Sequence, residues 1–115
     1  MIIHIHDFPS FETTDSITLI MSVRPLEKEP FLRFLAKKFR FPDYFGHGWD
    51  AVNDCLGPAL TALKKKNITL IFPVVPLESA RQWKTFRDIL AQTRDELAAL
   101  GITLTVALID PPQDD

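Results

Sequence analysis

Residues 67–75, Asn-Ile-Thr-Leu-Ile-Phe-Pro-Val-Val, are apolar on both sides of an extended chain. A strand with two buried faces belongs inside a covered sheet, and such strands are typical of parallel sheets. Parallel neighbours cannot be joined by a tight hairpin. Each needs a crossover of about a dozen residues or more, usually a helix. This segment therefore predicts a small α/β layer fold with a mainly parallel β-sheet. Pro73 marks its end, because proline cannot donate to a ladder.

The flanking sequence supplies the other parts. Residues 16–23, Ser-Ile-Thr-Leu-Ile-Met-Ser-Val, and 102–109, Ile-Thr-Leu-Thr-Val-Ala-Leu-Ile, are rich in β-branched and large apolar residues and read as strands. Residues 2–7 alternate Ile3 and Ile5 with His4 and His6, the period of a half-buried strand. The linker to residue 16 is short enough for a hairpin, which makes residues 2–7 an extra N-terminal edge strand. Between Glu27 and Arg40 the period turns helical, with Phe31, Phe34, Leu35, Lys38 and Phe39 near one face. Pro30 is tolerated near that helix's start, and Phe41-Pro42 ends it. A helix resumes near Trp49; Gly57-Pro58 is expected to end or kink it, with a second stretch running to Lys64. Ser79 to Leu100 is the longest helical pattern, and Gly101 is its natural stop. Two strand–helix–strand passages imply right-handed crossovers.

Length and charge narrow the classes of function. The 115 residues fit one domain, with 110–115 expected as a flexible tail. A net charge of −2 lacks the basic footprint of a nucleic-acid binder. The lone cysteine, Cys55, excludes an internal disulfide and fits a reducing cytoplasm. The N-terminus has no signal-peptide pattern, and no apolar run approaches the ~18 residues that span a membrane. A cytoplasmic protein is expected.

Residues 41–56 hold the chemistry. At about 100° per residue, Val52, Cys55, Leu56, Ala59 and Leu63 cluster on one helix face, while Asp50 and Asp54 lie nearly opposite, with Asn53 beside them. Like charges four residues apart repel by roughly 0.2–0.5 kcal/mol. Asp50, in the first turn, is offset by the helix dipole; Asp54 is not, and aspartate is a poor helix former there. Tyr44, Phe45 and Trp49 place large aromatics near these acids, and Gly46 and Gly48 permit backbone shapes other residues resist. Aromatics beside charge are the composition of an interface hot spot. Two blander readings stand next to this one: the acids are simply solvated, and Phe45 and Trp49 simply staple the loop to the core.

Other chemistries fit less well. His47, Asp50 and Asp54 have a spacing that zinc or iron accepts, but three ligands need a closed pocket and this surface reads as open. His4 and His6 share the spacing of a metallohydrolase pair, yet that barrel needs roughly 200 residues or more. Cys55 sits on the apolar face, where a thiol is usually buried and inert. Lys64, Lys65 and Lys66 read as a solvated helix end, and no glycine-rich phosphate loop is present. No enzyme, metal or cofactor is expected.

The run Phe41-Pro42-Asp43-Tyr44-Phe45-Gly46, followed by Trp49-Asp50-Ala51-Val52-Asn53-Asp54-Cys55-Leu56, resembles the signature of the barstar family, intracellular inhibitors of barnase-type ribonucleases. The resemblance implies a barstar-like three-layer fold, with the small sheet packed between helices. It also implies that Asp54 enters the nuclease's phosphate site and that Asp50 accompanies it one turn earlier. A barstar aspartate is itself a standard example of an extreme interface hot spot. By the same resemblance Tyr44 packs on the enzyme's catalytic surface, and the loop with Phe45, Gly46, His47, Gly48 and Trp49 supplies further contacts. Glu96 matches, by its distance from Gly101, an acidic residue that touches the enzyme from the last helix. Asn53 stands where barstar has a tryptophan, and Gly57-Pro58 replace residues at the contacting end of that helix. The expected partner is an extracellular-type, barnase-like ribonuclease bound one-to-one, with the protein acting as an immunity protein or antitoxin. The alternative is a non-enzymatic interaction module on the same scaffold, with a partner that is not a nuclease.

Overall fold

Strand β3 (Asn67–Phe72) lies inside a four-stranded sheet ordered β1-β4-β3-β2, with β1 (Ile2–Ile5), β2 (Ser16–Ile20) and β4 (Thr103–Ile109). The computed structural model describes residues 2–5, 15–42 and 48–109. Every pairing is parallel, with Leu70 opposite both Leu19 and Val106. Helices α1 (Lys28–Lys38) and α2 (Trp49–Thr61) connect β2 to β3, and α3 (Ala80–Ala98) connects β3 to β4.

The register sorts the side chains onto two faces. Ile17, Leu19, Ile68, Leu70, Phe72, Leu104, Val106 and Leu108 share one face and one hydrophobic cluster. Every buried hydrophobic side chain of the helices joins that cluster: Phe31, Leu32 and Leu35 from α1, Val52, Leu56 and Leu60 from α2, and Phe86, Ile89, Leu90 and Leu97 from α3. The other face carries Thr18, Thr69, Thr103 and Thr105, whose β-branched polar side chains tolerate partial exposure. Ile71 and Ala107 are buried on that second face, outside the cluster. The expected α/β architecture with a parallel sheet is therefore present. Among the described residues its helices gather on one face, so they cover one side of the sheet and not both sides as a three-layer arrangement would.

Two local expectations are corrected. The N-terminal strand does take a sheet edge, but no hairpin joins it to β2. It pairs in parallel with β4, Ile2 opposite Val106, at the far edge of the sheet. A short linker permits a hairpin without requiring one, and β4 offered an edge that a parallel strand could fill. Helix α2, secondly, neither ends nor breaks at Gly57-Pro58; it is continuous to Thr61. Pro58 cannot donate to the Asp54 carbonyl, yet Ala62 N–H still bonds to the Pro58 carbonyl at 3.0 Å beyond it. Val52, Leu56 and Leu60, at most 1% exposed, hold both halves of the helix on the core. Tertiary packing outweighs the local break.

The helix ends follow ordinary rules. Ser79 caps α3 by accepting from Gln82 N–H at 3.3 Å. Gly101, with φ 80°, closes its C-terminal side, where the Ile102 N–H returns to the Leu97 carbonyl at 2.9 Å. Lys37 and Lys38 lie at the negative end of α1's dipole.

Candidate partner-binding site

Gly48 caps α2 with an extended backbone and no side chain to accept from the first turn. From there the core stripe of α2 turns inward and carries Asp50 and Asp54 outward. Both are exposed, and neither meets a cation or hydrogen-bond donor among the described residues.

Trp49 shows the stapling role left open above. Its half-buried ring lies 6.2 Å from Phe31 and 5.9 Å from Phe86, and its Nε1–H donates to Gln82 Oε1 at 2.6 Å. One side of it still borders a shallow hollow shared with Asp50, Asn53 and the α3 residues Thr85, Asp88 and Gln92. Asn53 is half-buried, and its Oδ1 is covered without a partner. Gly57 is buried where α3 comes close: a methyl group there would stand 3.2 Å from Glu96 Oε2. Glu96 accepts from Gln92 Nε2 at 3.2 Å and is exposed, so an α3 carboxylate sits beside α2. Tyr44, Phe45, Gly46 and His47 lie outside the described residues.

Sequence reasoning missed Asp88 and Gln92 as neighbours of Asp50. The signal was the spacing Asp88–Gln92–Glu96, one α3 row at four-residue intervals. No group of three or more His, Cys, Asp or Glu among the described residues is placed to hold a metal. Burial, and then the neighbouring Asp54 carboxylate, push the half-buried Cys55 thiol up, which leaves it a weak nucleophile at neutral pH. No helix among the described residues is long and apolar enough to cross a membrane.

No curated protein and no solved structure matches the chain. The family model described as Barstar (barnase inhibitor) matches residues 19–109. That span takes in α1, α2 with both outward aspartates, β3, α3 with Glu96, and β4, and leaves β1 outside it. A match over most of the sequence, on a parallel α/β sheet with its helices in this order, means that the chain belongs to the barstar (barnase inhibitor) family.

Proposed function

We propose that the protein inhibits a barnase-like ribonuclease by placing Asp50 and Asp54 in the enzyme's cationic active site. One observation carries this reading: the two carboxylates are exposed one turn apart on α2, without a cation of their own chain among the described residues. A ribonuclease cleft presents Arg, Lys or His to the phosphate and to the charge that develops during cleavage. Two carboxylates on a helix can replace two phosphates there, making charge-assisted bonds that are often bidentate with arginine. The helix keeps them at fixed spacing because its inner stripe is locked in the core. Their mutual repulsion is relieved only when the partner's cations arrive.

Around the pair, Glu96 beside Gly57 and the half-buried Asn53 extend the surface on the α3 side. By the family resemblance, Gly48 and the preceding Tyr44, Phe45, Gly46 and His47 supply further contacts to the enzyme. In this reading the complex is one-to-one, needs no cofactor, and blocks substrate entry sterically as well as electrostatically. The protein then acts as a cytoplasmic immunity protein that holds a toxic nuclease inactive inside the cell.

Inhibition of a purified barnase-type ribonuclease tests this. Asp54→Ala should raise the inhibition constant about 100-fold or more, since it strands enzyme cations in a desolvated interface. The same change should leave the unfolding midpoint equal or slightly higher, because a like-charge pair is removed. If the unaltered chain neither inhibits such enzymes nor protects cells that co-express them, the reading fails. An interaction module with a non-nuclease partner then takes its place.

A further inference from the structure

We infer that the cleft between the end of α1 and α2 binds a small amphipathic anion: an apolar body carrying one carboxylate, sulfonate or phosphate. The cleft measures about 570 Å³ and no α3 residue lines it. That size falls within the range of roughly 300–1,000 Å³ usual for small-molecule sites. Its apolar wall is built from Leu19 of β2, Phe39 and Phe41 beyond α1, Cys55 and Ala59 of α2, and Leu63 just past the end of α2. All six are half-buried, whereas Val52, Leu56 and Leu60 on the adjoining stripe of α2 are at most 1% exposed. The core is closed along one side of α2 and left open along this one.

The charges at the rim set the sign of the occupant. Lys38 and Arg40 both line the cleft, and neither forms an ion pair with a described residue. The dipole of α1 accounts for Lys38 in its last turn. Arg40 follows the C-cap in the left-handed closing position (φ 53°), with the Phe41 N–H returned to the Ala36 carbonyl at 2.9 Å, which sets its side chain at the cleft. Lys38 Nζ reaches the Ile20 carbonyl at 3.4 Å, which keeps its ammonium beside the mouth. Asp54, the one acid in the lining, stands on the α2 wall. A cation would face two positive groups, and a neutral apolar molecule would leave both unused. An anion on an apolar body uses the floor and the rim together.

The α2 wall adds a polar feature. Pro58 lines the cleft and has no N–H for the Asp54 carbonyl. That carbonyl lacks its usual helical N–H donor.

Anilinonaphthalene sulfonate carries a sulfonate, two aromatic groups and one N–H, and it brightens when its rings leave water. Titrated into the native chain, it should give saturable one-site fluorescence, with NMR amide shifts concentrated at Phe39, Cys55, Ala59 and Leu63. Ala59→Phe, which fills the cleft, should abolish the signal. The double variant Lys38→Gln/Arg40→Gln should weaken binding about tenfold, while affinity for uncharged phenylnaphthylamine stays the same. Unchanged sulfonate affinity in the double variant would overturn the assignment, as would amide shifts centred away from these residues. The shift map uses the unaltered chain, so it decides the matter even if Ala59→Phe does not fold.

Discussion

Thr93 is 0% exposed on the inner face of α3, and its hydroxyl has no partner. An unsatisfied buried hydroxyl costs about 1–3 kcal/mol, and valine offers nearly the same shape without it. Thr93→Val should therefore raise stability by about 1 kcal/mol, seen as a higher urea midpoint at unchanged slope. An unchanged or lower midpoint would mean that the hydroxyl is satisfied after all. The outward aspartates follow the opposite logic, since repulsion makes them poor choices for stability alone. Their exposure was legible from helical spacing, because a core stripe fixes what lies opposite it. Trp49 was not legible in the same way. An aromatic beside a charge suits an interface or a staple equally well, and what tips the balance is Gln82, 33 positions away.

Helix α2 shows why local punctuation misleads. Glycine and proline side by side break an isolated helix, costing roughly 1 and 3 kcal/mol respectively. Here a three-residue anchor of Val52, Leu56 and Leu60 holds the helix on both sides of the break. The hydroxyl of Thr61 also donates to the Gly57 carbonyl at 2.9 Å, within the last turn. Gly57 itself is explained by the approach of Glu96, whose carboxylate is the far end of a flexible, exposed side chain. Gly57→Ala should consequently be tolerated: Glu96 swings aside, and the gain in helix propensity stabilises by about 0.5 kcal/mol. Thermal unfolding measures this, and a lowered midpoint would mean that Glu96 is fixed in place. Helix ends marked by side-chain chemistry, as at Ser79 and Gly101, were readable; a helix held by distant contacts was not.

At the scale of the whole molecule, the second face of β3, with Thr69 beside Ile71, is less apolar than its sequence suggested. Fold class was legible because long helical patterns separate the three strong strand segments, and parallel pairing needs such crossovers. Strand order was not, since linker length says nothing about which edge a strand joins. The order has consequences for β4, whose outer ladder is covered by β1, a strand outside the family-matched span. Removing residues 1–14 would strip that cover and leave β4 as an open edge, a template for pairing with another chain. The truncated protein should self-associate more strongly than the full chain in sedimentation velocity; an equally monomeric truncate would argue that the edge is protected some other way. A different kind of freedom follows from α2, where the residues that anchor the helix and the two exposed aspartates proposed to meet a partner occupy separate sides. Positions 50 and 54 carry no packing duty, so they can be rewritten one at a time without unsettling the scaffold. On the proposed reading, such a helix can be retuned against a nuclease whose own surface changes.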